Sequence, residues 1–181
     1  RHRFRFRMAR AGKVRRKPAP KRLPGEPSSA ERLAAMLRVD QAGEYGAARI
    51  YDGQLALLGE SAQAATIQAM RDQEQRHLEA FDKLLAERNV RPTLLSPLWH
   101  VAGFALGAAS AALGARAAMA TTVAVEEVIE EHYAGQIAEL GEEESELRKL
   151  LEQFRRDESE HRATGLEHGA EDAPAYAILS A

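Results

Sequence analysis

Cysteine is absent from the 181 residues. That absence excludes disulfides, thiolate zinc sites and iron–sulfur clusters. Any metal must be held by oxygen and imidazole nitrogen, a donor set suited to iron or manganese. Aromatic residues make up only 6% of the chain although hydrophobic residues reach 45%, and Ala, Leu and Glu are abundant. This balance favours helix over sheet, and the length suits one domain with a sizeable core. Acidic residues are missing from 1–22, which hold eleven Arg or Lys, while the rest of the chain carries 14 basic and 27 acidic residues, a net of −13. Residues 1–28 are therefore expected to be a basic, disordered tail. Its readings are a transit peptide, a tether to anionic lipid, a solvated tail, or sequence ahead of a start at Met8. Serine does not occur before Ser28, which weighs against the transit peptide. No nucleic-acid partner is expected.

Formal charge is missing a second time, from Pro92 to Ala115. That stretch is long enough to span a bilayer. Pro97, His100, Gly103, Gly107 and Gly114 interrupt it, and no second such stretch follows. Three readings stay open: a buried crossover helix, a helix lying in the membrane interface with Trp99 as an anchor, and a transmembrane span.

Two ExxH pairs carry the chemistry. Glu74-Gln-Arg-His77 has a lone glutamate, Glu44, 30 residues upstream of Glu74; Glu158-Ser-Glu-His161 has Glu126, 32 residues upstream of Glu158. Gly59-Glu60-Ser61 and Gly141-Glu142 sit at the two midpoints. In an antiparallel helix hairpin, residues equidistant from the turn lie side by side. At a rise of about 1.5 Å per residue, each site falls roughly 22 Å from its turn on both arms. Within each ExxH the i, i+3 spacing puts both side chains on one helix face. Glu44, Glu74, His77, Glu126, Glu158 and His161 are thus the candidate metal ligands. Four glutamates and two histidines are the set that holds two iron ions inside a ferritin-like four-helix bundle.

Periodicity supports the same picture. Leu33, Leu37, Asp40, Glu44, Ala47, Tyr51, Leu55 and Leu58 form one stripe at helical spacing; Ile67, Met70, Glu74, His77, Phe81 and Leu84 form the next. Met119, Val123, Glu126, Glu130, Tyr133, Ile137 and Leu140 form a third, and Leu147, Leu151, Phe154, Glu158 and His161 a fourth. In each, ionisable groups interrupt an apolar stripe mid-helix, which costs several kcal/mol unless they are paired or bind metal. Four carboxylates against two divalent ions sum to zero charge. The spacing predicts helices over about 29–58, 62–89, 116–140 and 144–168, with Ser28 and Glu31 as a capping box. The fold expected is all-α: a ferritin-like four-helix bundle over 29–181 with a long apolar crossover segment.

Asp157 and Asp40 are candidates to fix a ligand histidine through its distal N–H. Tyr133 and His132 are candidates for contact with substrate or electron relay, Tyr133 leaning to a core role. Whether Glu130 touches metal is open. His100 and His168 read as structural or exposed.

Arg38-Val-Asp-Gln-Ala-Gly-Glu-Tyr-Gly-Ala-Ala-Arg-Ile-Tyr51 closely resembles the start of the demethoxyubiquinone hydroxylase family of ubiquinone biosynthesis. So do Arg91-Pro-Thr-Leu-Leu-Ser-Pro-Leu-Trp99, Gly103-Phe-Ala-Leu-Gly107, Thr122-Val-Ala-Val-Glu-Glu127, His132-Tyr133, Gly165-Leu-Glu-His-Gly-Ala170 and Ala173-Pro-Ala-Tyr176. The resemblance covers about residues 30–181. It implies a membrane-associated di-iron monooxygenase that hydroxylates the benzoquinol ring of demethoxyubiquinol with O2 and an electron donor, NADH being the candidate, in the penultimate step of ubiquinone biosynthesis. The family's six ligands carry over onto Glu44, Glu74, His77, Glu126, Glu158 and His161, and its cofactor would be two Fe ions per chain. The resemblance further implies a polyprenyl benzoquinol substrate, whose tail the Gly/Ala-rich segment 98–114 would admit. It also implies work at the inner-membrane surface, with a bacterial source favoured over a mitochondrial one. Other ubiquinone-synthesis proteins, a lipid-binding one among them, and a homo-oligomer are the partners to expect. Family members continue for roughly twenty residues past the position of Ala181, so this chain reads as shortened at that end. The rival readings are a ferroxidase or rubrerythrin-like peroxidase, an iron-storage bundle, a manganese catalase and a purely structural bundle.

Overall fold

The computed structural model describes residues 25–174 and 176; the expected basic tail lies almost wholly outside them. Five α-helices follow one another among the described residues: α1 (Ser29–Leu58), α2 (Ala64–Glu87), α3 (Ser96–Ala112), α4 (Ala115–Glu139) and α5 (Ser145–Glu167). Short 3-10 turns occupy Glu142–Glu144 and Ala170–Asp172.

Local chemistry sets the ends. The capping box forms as expected: Ser28 Oγ accepts from the Glu31 amide at 3.1 Å, and Glu31 accepts from the Ser28 amide at 2.6 Å. α2 stops two residues short of its expected end because Asn89 turns left-handed (φ 54°), and the Val90 amide then donates back to Leu85 O at 2.9 Å. This 6→1 closure satisfies an otherwise orphaned carbonyl, and asparagine is the non-glycine residue that best tolerates it. Pro97 opens α3, where its missing N–H costs nothing. Gly114 (φ 108°) makes the tight turn into α4. Arg148 of α5 donates to Ile137 O and Leu140 O at the end of α4.

Cross-helix pairs fix the topology. Gln41–Asp82 and Asp52–Arg71 run α1 antiparallel to α2. Ile137–Arg148 and Glu130–Arg155 do the same for α4 and α5. Glu44–Tyr133 and Gln54–Thr122 set α1 antiparallel to α4. The two hairpins therefore face each other head to tail, and α3 must carry the chain back along the outside of the bundle. It does so parallel to α1, its main neighbour, with Gly103 over Gly46 and Gly107 over Ile50.

The apolar core splits into two layers. Leu37, Phe81, Leu85, Tyr133, Leu151 and Phe154 belong to one; Tyr51, Ile67, Met70, Met119 and Val123 belong to the other. The six candidate ligands fall between them.

Segment 92–115 differs from two of its three readings. It is not a buried crossover: Gly103, Gly107, Ser110 and Ala111 are buried, whereas Leu98 is 60% and Val101 66% exposed. Nor does it span a membrane, since no helix among the described residues is long and apolar enough to cross one. Gly103 and Gly107 let two backbones touch. A Cβ on Gly103 would meet Gly46 O at 2.9 Å, and one on Gly107 would collide with Ile50 O.

Because the obstacle is backbone, Gly107→Val should destabilise by about 3 kcal/mol, lowering Tm by roughly 6–12 °C. Gly135→Ala, where a Cβ meets nothing within 4 Å, should instead stabilise by about 0.5–1 kcal/mol. Thermal unfolding of the two variants checks both.

Candidate metal centre

All six sequence-predicted ligands are buried, and they meet in one place. Glu44 is 1%, Glu74, Glu126 and Glu158 are 0%, His77 is 2% and His161 is 4% exposed. They form two overlapping clusters, Glu44–Glu74–His77–Glu158 and Glu74–Glu126–Glu158–His161, each with donor atoms within 4.8 Å of one another. Each cluster keeps the glutamate and ExxH pair that the sequence groups together and adds the ExxH glutamate of the other hairpin. Each ExxH histidine faces the other ExxH glutamate: His77 Nδ1 lies 3.0 Å from Glu158 Oε1, and His161 Nδ1 lies 2.9 Å from Glu74 Oε1. Glu74 and Glu158 are thus common to both clusters, while Glu44 and Glu126 each belong to one.

The donor atoms fit a metal pair. Glu44 Oε2, both Glu74 oxygens, His77 Nδ1, Glu126 Oε2 and Glu158 Oε1 are buried with no hydrogen-bond partner among the described residues. Buried polar atoms are rarely left so. Crowded together yet unbonded, they are aimed at the space they share. The clusters can hold metal ions, and with oxygen and imidazole donors only, those ions are hard or intermediate in character.

Neighbouring side chains hold these donors in place. Tyr133 O–H donates to Glu44 and Tyr51 O–H donates to Glu126, each reaching across from α4 to α1 or back. His77 Nε2 and Asp157 Oδ2 are 3.1 Å apart, and the Phe154 ring stacks on His77 with centroids 3.9 Å apart. Asp157 therefore meets its expectation. Asp40 does not reach a ligand histidine; it accepts from Gln136 Nε2 and lies 3.5 Å from His132 Nε2. Glu130 belongs to neither cluster, since it pairs with Arg155 and Arg162. His100 contacts the Tyr45 hydroxyl at 2.6 Å, and His168 lies 3.4 Å from Thr66 Oγ1.

Sequence reasoning missed Tyr51, Gln54 and Gln136. A signal was present: tyrosine and glutamine follow the lone glutamate by seven and ten residues in both halves, as Tyr51 and Gln54 after Glu44 and as Tyr133 and Gln136 after Glu126. An apolar stripe absorbs Tyr51 because position alone does not separate a packed ring from a hydroxyl donor.

Electrostatics within the cluster follow from burial and proximity. Burial pushes Glu44 and Glu126 well above the usual carboxylate range, and the neighbouring Glu74 charge adds to it. Burial would raise Glu74 too, but His161 and His77 outweigh it and hold that carboxyl at about 2. Burial opposes charge on His161, yet Glu158 and Glu74 raise it to about 10. Burial opposes charge on His77 as well, and there Glu158, Glu44 and Glu74 raise it further. Without metal the site is therefore a carboxylate–imidazolium cluster.

An apolar cavity of about 720 Å³ lies between α1, α3 and α4. Gly43 and Ala47, which flank Glu44, and Val125, next to Glu126, line it together with Trp99, Leu106 and Ile129.

This geometry can be set beside known proteins. The family model "Ubiquinone biosynthesis protein COQ7" matches residues 31–181. The chain belongs to the COQ7 family. A 3-demethoxyubiquinol 3-hydroxylase of Rhodospirillum rubrum is 56% identical over 166 residues, covering 91% of this chain and 78% of that one. A mitochondrial NADPH-dependent 3-demethoxyubiquinone 3-hydroxylase of Homo sapiens is 55% identical over 148 residues, covering 80% and 68%. A mitochondrial 5-demethoxyubiquinone hydroxylase of Saccharomyces cerevisiae is 39% identical over 165 residues, covering 82% and 71%. Both bacterial and mitochondrial proteins thus stand among the COQ7 relatives.

The raised histidines give a pH signature. His161 titrates near 6.5 when unfolded and near 10 when folded. Its stabilisation is thus complete below pH 6.5 and lost as pH rises through 10. Tm of the metal-free protein should fall between pH 7 and 10, and His161→Gln should flatten that fall. Divalent metal binding at pH 7 should release at least two protons per chain, read as the dependence of binding heat on buffer ionisation enthalpy.

Proposed function

We propose that the chain is a di-iron monooxygenase that hydroxylates the benzoquinol ring of demethoxyubiquinol. O2 supplies one oxygen atom to the ring C–H. The other leaves as water, with two electrons drawn from a nicotinamide donor and two protons. Glu44, Glu74, His77, Glu126, Glu158 and His161 would hold the two irons. The observation that carries this reading is the set of six buried ionisable side chains whose donor atoms converge, five of them bringing to that point an atom with no hydrogen-bond partner among the described residues.

Two bound ferrous ions would supply the O2 activation and the oxidising power that no side chain provides. The protein contributes position and dryness. Tyr51 and Tyr133 pin the two unshared glutamates, so that each presents its free oxygen inward. Asp157 fixes the His77 ring with Nδ1 toward the cluster. The cavity would bring the substrate ring against the Glu44 and Glu126 side of the site. Beside Gly43 there is open space, which a flat ring can use. Its walls exclude water from the oxidising site, which suppresses side reactions. A storage or ferroxidase role has no use for such a cavity.

The polyprenyl tail would leave along the cavity walled by α1, α3 and α4 toward bilayer. Leu94, Leu95, Leu98 and Val101 form an exposed apolar edge at that end of the chain's crossover, and a contiguous patch of this kind marks a docking surface. We assign it to the inner-membrane surface, bound peripherally, or to a lipid-binding partner of the same pathway. Residues 29–181 act as one catalytic unit, with 1–28 as an accessory tail.

Anaerobic loading with Fe(II), followed by metal analysis and turnover of demethoxyubiquinol under O2 with NADH or NADPH, tests the reading. Two irons per chain and ring-hydroxylated product are expected, and Glu126→Ala should lose product below detection. Stoichiometric iron without product would favour a ferroxidase. Separately, Leu98→Glu with Val101→Glu should reduce co-sedimentation with anionic vesicles at least tenfold at unchanged iron content.

A further inference from the structure

The two halves of the chain are built to one plan. Glu44 matches Glu126, Tyr51 matches Tyr133, Gln54 matches Gln136, and Glu74–His77 matches Glu158–His161. The matching extends to contacts. Each tyrosine donates to the other half's lone glutamate, and each glutamine reaches the other helix one turn before that glutamate, Gln54 to Thr122 and Gln136 to Asp40. The ligand sets are also alike: each cluster has three carboxylates and one histidine, two of the carboxylates being common to both.

The plan breaks at the residue before each ExxH. In α5 it is Asp157, whose carboxylate lies 3.1 Å from His77 Nε2. In α2 it is Gln73, and His161 Nε2 is buried with no hydrogen-bond partner among the described residues. Asp40 against Thr122 also breaks the plan but falls away from the ligands, because Asp40 turns to Gln136 and His132; Phe154 against Met70 breaks it on the same side as Asp157, where the Phe154 ring stacks on His77. One ligand histidine is therefore backed by a carboxylate and the other is not. A carboxylate on the distal N–H fixes the tautomer and ring angle and makes the inward nitrogen a better donor, an effect worth about 10–100-fold in metal affinity.

We propose that the two metal positions are inequivalent and fill in order: the His77 cluster takes the first ion, and Asp157 is the positioning residue that sets this order. The proposal rests on the reading of the site as a two-metal centre. Its consequence is a one-metal form of the protein with a defined location for the ion, instead of a statistical mixture.

Anaerobic titration with Co(II), followed by its visible absorption, provides the test. The wild-type chain should bind in two steps separated by about tenfold or more. Asp157→Asn should weaken the tighter step by about that factor and leave the weaker one in place, and Asp157→Glu should restore it. Gln73→Glu should tighten the weaker step. Melting of the metal-free variants establishes that each is folded; if Asp157→Asn does not fold, Gln73→Glu decides alone, and an unmoved weaker step overturns the proposal. Two equal steps in the wild type, or equal weakening of both steps by Asp157→Asn, also overturn it while leaving the two-metal centre intact. Absence of Co(II) binding overturns both.

Discussion

Six ionisable side chains buried at one level of a helical bundle are the constraint on which the rest of this structure depends. Unpaired, each would cost several kcal/mol, more together than a domain of this size can spare. The chain resolves this in two compatible ways. Without metal, imidazolium and carboxylate neutralise one another, which is why the histidines are raised and Glu74 is held low. With two divalent ions, four carboxylates balance four positive charges. The apolar layers on either side keep water out in both cases, and they are what makes the charge balance obligatory.

The crossover helix follows from the same arrangement. Two hairpins that face each other head to tail leave the chain at the wrong end of the bundle after α2. α3 returns it, and it lies against α1 through glycines, so that its backbone comes close enough to wall a cavity beside Glu44 and Glu126. Its outward face then has nothing of the bundle to cover it. A single topological requirement thus yields both the apolar approach to the metal centre and the exposed apolar edge.

Much of this was legible in the sequence, for identifiable reasons. Equal distances from a turn place Glu44 beside Glu74 and Glu126 beside Glu158, because hairpin geometry is local. Capping and breaker residues gave helix bounds within about two residues, α2 and its left-handed Asn89 marking the largest departure. What the sequence left open depends on how the hairpins meet. That Glu74 faces His161 and Glu158 faces His77 is a property of the α2–α5 interface, which no spacing within a hairpin encodes. Asp40 was misread for the same reason, since its partners His132 and Gln136 sit on α4. The missing Cβ of Gly107 makes room for the α1 backbone, a contact between helices that no pattern within segment 98–114 reveals. Tyr51 was hidden in an apolar stripe, although its repeat as Tyr133 at the same offset was in plain view.

The sharing of Glu74 and Glu158 between the two clusters is the central claim, because it makes one centre out of two sites. X-ray absorption at the iron edge of the Fe(II)-loaded protein tests it most directly. Shared carboxylates predict an iron–iron scattering path at roughly 3.5–4 Å, the range of two-metal centres. Two irons per chain with no such path would mean that the clusters act separately, and would contradict the account.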